Sequence, residues 1–550
     1  MRDYDEITSF LGEWGPFQKS IFILLSLSTI PNGYGAMSMV FLSDTPHHHC
    51  TLPYLNRTGS NRSQALPLEE VNGQLDYSRC TRYTRLNSTE AQFGNETEKC
   101  LDGWDYSTEQ YISTITTEWN LVCGDAWKVP FSQSVFFMGV LTGSFVVGHL
   151  SDRFGRKLLL FLTMALQTTF TLILAVSGSW EMFVILYFID GMGQSSNYIT
   201  AFILGNEVLG ESSRLAFSTL GMCVFYALGY AVLPLCAYFI RSWRMLLLVL
   251  TLPGFLYIPL WWFIPESPRW LLAQGRLKEA EDIVRAAAKK NGVTPPSVIF
   301  REEDSAKLME NNTDHPKRSY TYLDLVRTSK MRNITIINVI TWFSVATSYF
   351  GLSLSTPNMS GDLYLNCLLS AVMELVACIG AWLLLKVASR RAIISSTLLI
   401  GGTVLLLIQM VPEKFSSFGV GLAMIGKLGV TAGFSVMYIS AMELYPTVVR
   451  GIGLSVCCVS SRLGGISSPF LAFMGTHNKA LPYIVMGLLT LAVGLLSLLL
   501  PETRGIALPE DLSQVQPLNC CCYRGEPAAE PEAFKEDQLP AEDRNVQMKE

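Results

Sequence analysis

Arg462 stands in Ser460-Ser461-Arg462-Leu463-Gly464-Gly465, within an otherwise apolar run. An ionised side chain at membrane depth is costly, so it is a functional candidate by default. A guanidinium presents a planar fork that fits a carboxylate. Arg462 is therefore expected to hold a substrate carboxylate, the alternative being a structural ion pair with Glu374. Aromatic faces hold a quaternary ammonium well, and Tyr198, Tyr226, Trp342, Tyr349 and Phe350 are available from other apolar runs. Taken singly, each aromatic reads as packing as readily as cage. As a group beside a guanidinium, they suit a small zwitterion or organic cation. Glu374 and Lys427 are the other interior charges, expected to pair with one another or to tune Arg462. Asp190 is a further acidic residue whose depth the run leaves open.

A small hard cation needs oxygen ligands. Pro31-Asn32-Gly33 is expected to break the first helix at Asn32, and Gly191-Met-Gly-Gln-Ser-Ser-Asn-Tyr198 brings Gln194 and Asn197 together. Glycine and proline at membrane depth free carbonyls that can coordinate sodium. Asn32, Gln194 and Asn197 are thus candidates for sodium coupling, with hydrogen bonding between helices as the alternative. No zinc-ligand cluster or hydrolase elbow stands out, so no metal beyond such a sodium ion and no resident cofactor is expected. Gly205–Ser212 approximates a phosphate loop, but Glu211 stands where the lysine belongs and would repel phosphate.

The elements that must position these residues are hydrophobic. Of the 550 residues, 49% are hydrophobic and 16% charged, against about 25% charged in a soluble chain. A net charge of -5 without a basic stripe argues against a nucleic-acid partner. A bilayer core of about 30 Å needs about 18 to 25 apolar residues per helix. Twelve such runs are found, at 20–42, 129–149, 158–177, 181–204, 215–240, 243–264, 333–354, 363–386, 393–411, 418–440, 452–474 and 482–500. The N-terminus lacks the order of a signal peptide, so the first run is expected to be retained.

Two hydrophilic segments interrupt the pattern. The large loop after the first run, about 43–128, holds Cys50, Cys80, Cys100 and Cys123 and the sequon residues Asn56, Asn61, Asn87 and Asn95. Four cysteines allow two disulfides in three connectivities, and disulfides with sequons point to an extracellular, glycosylated segment. The basic segment 265–332 reads as cytoplasmic, with an amphipathic helix over 278–291. This divides the chain into a half over 1–264, a linker over 265–332, a half over 333–500 and a tail over 501–550. Both termini then fall in the cytoplasm. The proline-rich acidic tail, with Cys520, Cys521 and Cys522, is expected to be disordered and open to cytoplasmic partners or acylation.

The two halves repeat at an offset of about 236 residues. Glu207 and Arg214 recur as Glu443 and Arg450, Pro265-Glu266 recurs as Pro501-Glu502, and the basic turn 153–157 maps near Ser389-Arg390-Arg391. The pattern implies two six-helix pseudo-repeats with a substrate site between them near the midplane. It also sets Tyr226 opposite Arg462. Asp152, Arg153, Arg156, Glu207, Arg214, Glu443 and Arg450 are expected to form acidic–basic latches at the cytoplasmic helix ends. The alternative is that these charges only fix topology.

Gly148-His-Leu-Ser-Asp152-Arg153-Phe-Gly155-Arg156-Lys157 resembles the loop signature of the major facilitator superfamily. Pro265-Glu-Ser-Pro-Arg-Trp270 and Glu443-Leu-Tyr-Pro-Thr-Val-Val-Arg450 resemble the organic ion transporter family. Met1-Arg-Asp-Tyr-Asp-Glu6, Phe10-Leu-Gly-Glu-Trp-Gly-Pro-Phe-Gln18, Thr117-Glu-Trp-Asn-Leu-Val-Cys123 and Trp261-Trp-Phe-Ile-Pro265 are similar to the organic cation/carnitine transporter subfamily. The similarity runs from residue 1 to about 510.

This resemblance implies an all-α membrane protein of the major facilitator fold, with twelve transmembrane helices, in the plasma membrane. It implies Arg462 as the position where carboxylate-handling relatives carry arginine, and Asn32, Gln194 and Asn197 as positions linked to sodium coupling. The expected activity is sodium-coupled carnitine uptake by alternating access rather than catalysis. The alternatives are ergothioneine or another betaine, or sodium-independent transport of varied organic cations.

Overall fold

The computed structural model describes residues 4–52, 65–71, 74–85, 93–300, 321–476, 478–504, 509 and 512–518. The first apolar run forms three pieces, α1 (Pro16–Leu27), α2 (Ile30–Met37) and α3 (Met39–Leu42). Pro31 has no N–H to offer the Leu27 carbonyl, and the Asn32 N–H turns to Thr29 O at 3.1 Å. The break therefore falls at Ser28–Thr29, ahead of Asn32, which corrects the sequence expectation. The freed carbonyls find new donors. The Tyr257 hydroxyl takes Leu27 O at 2.7 Å, and Asn197 Nδ2 takes Ser28 O at 3.1 Å.

The first half continues with α4 (Lys128–Phe154), α5 (Arg156–Ala175), α6 (Trp180–Val208), α7 (Met222–Phe239) and α8 (Trp243–Leu256). A linker helix follows, α9 (Leu277–Asn291). The second half contains α10 (Ser329–Leu354), α11 (Leu363–Val387), α12 (Arg390–Leu407), α13 (Ser416–Leu444), α14 (Arg450–Met474) and α15 (Leu481–Ser497). Side-chain caps start several of them. Ser179 accepts from Met182 N at 3.3 Å, and Asp362 from Leu365 N at 2.9 Å. Among the described residues, nine helical stretches are long and apolar enough to cross a membrane. The other three expected spans correspond to the segmented first run, to α6 with its acidic and amide side chains, and to α15 with 17 residues.

The segment between α3 and α4 is mostly strand and loop, with only a short helical turn at Ile115–Glu118 and another at Cys123–Asp125, so the all-α expectation holds for the bundle alone. Among the described residues its six short strands are β1 (His48–Cys50), β2 (Leu68–Val71), β3 (Gln74–Tyr77), β4 (Thr81–Arg85), β5 (Phe93–Lys99) and β6 (Trp104–Tyr106). They pair antiparallel as β1–β6, β2–β3 and β4–β5. Disulfides Cys50–Cys100 and Cys80–Cys123 tie them together. Of the sequon residues, Asn95 lies in β5, and Asn56, Asn61 and Asn87 lie outside the described residues.

On the opposite face, α9 buries Ala280, Val284, Ala287 and Ala288, a stripe at helical spacing. Trp270, Leu271 and Leu272 pack there with Tyr4, Ile7, Phe10 and Leu11. The start of the tail also packs here. Pro509 O accepts from Thr447 N at 3.0 Å, and Val515 is buried. That corrects the expectation of disorder for these residues, while 519–550, with Cys520–Cys522, lie outside the described residues.

Candidate functional site

The halves meet where α4 faces α14 and α7 faces α11. Ser134 Oγ donates to Ile466 O at 2.8 Å, and the Tyr230 hydroxyl to Ser370 Oγ at 3.0 Å. Arg462 lies on this seam. Its Nε donates to Ser144 Oγ of α4 at 2.8 Å, and the guanidinium also reaches the Tyr438 hydroxyl of α13.

The aromatic candidates touch one another, and Tyr438 stands between them and Arg462. Tyr198 and Tyr226 meet at 6.5 Å between ring centroids, and Tyr349 lies 4.9 Å from Phe350. Tyr226 contacts Tyr349 across the seam. Trp342 packs on Tyr438 at 4.5 Å and on Phe434 at 5.9 Å. No hydrogen bond or ring contact joins Tyr226 to Arg462 directly among the described residues. Tyr438, a neighbour of both Tyr198 and Arg462, links the two sets. Tyr198, Tyr226, Phe350 and Arg462 are half-buried, whereas Trp342 and Tyr349 are buried. Sequence reasoning missed Tyr438, Phe434 and Phe137, the last of which lies 4.7 Å from Phe350. Their helices carry many aromatics, and only azimuth singles these out.

Glu374 and Lys427 form a buried pair at 3.7 Å. The Tyr349 hydroxyl donates to Glu374 Oε1, and Lys427 Nζ donates to Ser353 Oγ at 3.0 Å and to Ser370 Oγ. The ammonium also sits 4.6 Å from the Tyr230 ring. Among the described residues no ion pair links Glu374 to Arg462, because α10, α11 and α13 enclose Glu374 with Lys427. Among the described residues Arg462 has no carboxylate partner at the seam.

The sodium candidates lie in the first half. Gln194 Nε2 donates to Asp190 Oδ2 at 3.1 Å, and Gly35 leaves the room that Gln194 occupies, where a Cβ would collide with it. Asn197 Oδ1 and both amide atoms of Asn32 are buried without a hydrogen-bond partner. Gln194 and Asn197, but not Asn32, line a cavity of about 30 Å³ together with Asp190. No group of three or more His, Cys, Asp or Glu that could hold a metal exists among the described residues.

The linker face carries a doubled charge network. Arg156 pairs with Glu207 at 3.0 Å and with Asp152 at 2.9 Å, and Arg390 pairs with Glu443 at 3.2 Å. Glu266 Oε1 accepts the N–H groups of Arg156 at 2.9 Å and Lys157 at 3.0 Å, and Glu502 Oε1 accepts that of Arg390 at 3.0 Å. A carboxylate at a helix N-terminus is favoured by the dipole. Burial pushes the Glu502 carboxyl up. Hydrogen bonds from Ser389 and the amides of Arg504, Thr503 and Arg390 outweigh that and hold it below the usual carboxylate range.

Arg156 and Arg390 are thus ion-pair partners of Glu207 and Glu443 among the described residues. Arg214 and Arg450 turn back on their own helix junctions, Arg214 to Leu209 O at 3.1 Å and Arg450 to Tyr445 O at 3.3 Å. Arg153 is exposed over the Phe154 ring. Gly155, at φ +97°, makes the turn between α4 and α5 and leaves space for Glu266. Glu266 and Glu502 were visible through the repeat. Arg390 falls two residues off the offset from Arg156, which hid its role.

On the other face, a cavity of about 2220 Å³ opens beneath the disulfide-bonded loop, lined by Asp44, Arg79 and Gln133 and by Asn358, Lys479 and Tyr483 of the second half.

Residues 91–511 match the family described as "Sugar (and other) transporter". The chain is 51% identical over 530 residues to the mouse (Mus musculus) protein named "Organic cation/carnitine transporter 2", covering 94% of each. It is 51% identical over 531 residues to mouse "Solute carrier family 22 member 4", covering 94% of this chain and 95% of that one. Among solved structures, the inward open conformation of the xylose transporter XylE from E. coli aligns with 89% of this chain and 98% of its own, at a TM-score of 0.60 and 16% identity. That last likeness is one of fold alone. This chain is a multi-pass membrane transporter of the major facilitator fold, and it belongs to the organic cation/carnitine transporter branch of the sugar (and other) transporter family.

Proposed function

We propose that the protein takes up carnitine-like zwitterions and small organic cations across the plasma membrane, coupled to sodium, by alternating access between its two halves. The observation that carries this reading is Arg462, which has no carboxylate partner among the described residues and is held at the seam by Ser144 and Tyr438, with Tyr438 leading on to Tyr198 and Tyr226. The guanidinium suits the carboxylate of the substrate and the rings suit its trimethylammonium. Relatives at 51% identity carry carnitine in their names. The disulfide-bonded loop fits an extracellular position, which sets the basic linker and both termini in the cytoplasm. The linker-face pairs then act as latches that part when the carrier opens inward, since substrate and ion shift the equilibrium only through contacts that differ between states. No resident cofactor enters this scheme. Glycans on the loop and partners for the tail belong to the same reading.

The test is uptake of labelled L-carnitine by cells expressing the chain, in sodium and with N-methylglucamine replacing it. Strong sodium-dependent uptake is expected. Equal uptake in both media would favour sodium-independent transport. No carnitine uptake from protein confirmed at the surface would make ergothioneine the leading substrate.

A further inference from the structure

Two cysteines meet across the seam. Cys223 stands on α7 of the first half and Cys378 on α11 of the second, and both are free thiols. The two helices pack along the seam, with residue numbers rising on α7 as they fall on α11. The Tyr230 hydroxyl donates to Ser370 Oγ at 3.0 Å. About one turn nearer the linker face, Tyr226 comes within electrostatic reach of Glu374. A further turn on, the thiols of Cys223 and Cys378 are hydrogen-bond partners. Three successive levels thus pair the same two helix faces. Both thiols also come within electrostatic reach of Tyr198, so the pair adjoins the candidate substrate site. Cys223 is half-buried and Cys378 is buried.

A single buried cysteine packs as a small hydrophobe. Two in contact, one from each half, can do redox chemistry that neither can do alone. We propose that Cys223 and Cys378 are an oxidative modification site, where peroxide forms a reversible disulfide that staples α7 to α11 and arrests the carrier.

Cys223, the more accessible thiol, loses its proton and attacks one oxygen of hydrogen peroxide. The O–O bond breaks, Cys223 becomes a sulfenic acid, and the leaving hydroxide takes the released proton as water. The Cys378 sulfur then attacks the sulfenic sulfur. The S–S bond forms, the S–O bond breaks, and hydroxide leaves with the Cys378 proton as a second water. Two electrons pass from the thiols to the peroxide. A dithiol reverses the bond by exchange.

Cys223 lies nine residues past Arg214, and Cys378 nine residues before Val387 at the end of α11. Each is therefore about 14 Å of helix from the linker face. The large cavity opens on the other face, and the bond keeps that arrangement, because inward opening must part α7 from α11 on the linker side. Formation of the bond depends on the two thiols alone. Its effect on uptake rests on the alternating-access reading above.

The experiment treats the purified full-length protein with hydrogen peroxide, caps the remaining thiols with N-ethylmaleimide and reads the digest by mass spectrometry. Peptides joined through Cys223 and Cys378 are expected, and dithiothreitol is expected to separate them. In cells expressing the chain, peroxide is expected to cut L-carnitine uptake by wild type about ten-fold, and by Cys223→Ala or Cys378→Ser less than about two-fold, each against its own untreated rate. Dithiothreitol, at a dose that leaves untreated cells unchanged, is expected to restore the wild type. Absence of the joined peptides overturns the proposal, and wild type alone decides this, whether or not a variant folds. Joined peptides with uptake unchanged overturn the arrest. An equal loss in wild type and both variants places the damage at another cysteine and overturns it too. If untreated wild type takes up no carnitine, the proposed substrate fails, and the joined peptides alone carry or sink the bond.

Discussion

Arg462 Nε donates to Ser144 Oγ at 2.8 Å across the seam between α14 and α4, and Ser144 in turn touches Ser195 of α6 at 2.7 Å. The guanidinium is thus anchored by one edge to the opposite half. Charged hydrogen bonds contribute about 1.5–3 kcal/mol, so Arg462→Ala is expected to cut carnitine uptake about ten- to a hundred-fold. Tetraethylammonium, which has no carboxylate, is expected to keep its uptake. Arg462→Lys does not rescue carnitine, because an ammonium lacks the fork. Initial rates of both labelled substrates at matched surface expression decide the matter. An equal fall for both would assign Arg462 a structural role.

Lys427 is the buried counter-charge of Glu374. Removing one member of a buried pair costs about 3–5 kcal/mol, whereas replacing both by neutral groups of similar volume is often tolerated. Lys427→Ala is therefore expected to lower the unfolding midpoint of the solubilised protein sharply. Lys427→Met combined with Glu374→Gln is expected to recover most of it. A double variant no better than the single one would refute the pairing as the source of the loss.

Glu266 and Glu502 hold equivalent places over the first amides of α5 and α12. A carboxylate at a helix N-terminus contributes about 0.3–1 kcal/mol. Glu266→Gln is expected to speed amide exchange about two- to five-fold at Arg156, Lys157 and Ser267, and Glu502→Gln to do so at Arg390, Thr503 and Arg504. Hydrogen exchange read by mass spectrometry separates the two helix starts. Faster exchange at both in either variant would mean that the halves share one latch.

His48 in β1 contacts Pro46 O at 3.0 Å, and burial holds its imidazole below the usual histidine range. The folded loop then binds fewer protons than the unfolded one, so stability falls as pH drops through the ordinary value of about 6.5. The loss is expected to begin near pH 7 and to grow toward pH 5.5. His48→Asn is expected to flatten that slope. Unfolding midpoints of wild type and variant at the two pH values provide the check, and an unchanged slope would locate the sensitivity elsewhere.

Membrane depth, the two-half repeat and the identity of the interior charges follow from counting along the chain. Each is a property of a segment, whether an apolar run long enough to span or a landmark repeated at about 236 residues. Pro31 announced a broken first helix in the same way. Its effect reached back four residues to the Leu27 carbonyl, and only the folded helix shows the break at Ser28–Thr29.

Partner choice was decided by the tertiary structure. Glu374 lies against Lys427 rather than Arg462, and Glu207 against Arg156 of a neighbouring helix. Asp190 shows the same limit: the sequence supplied a carboxylate in a glycine-rich run, and the packing of α2, α5, α6 and α8 buried it against Thr171 and Gln194. Sequence position sets how deep a helical residue lies, at about 1.5 Å per residue. The direction it faces turns by about a third of a circle with each residue, and only the packing of neighbouring helices fixes that rotation.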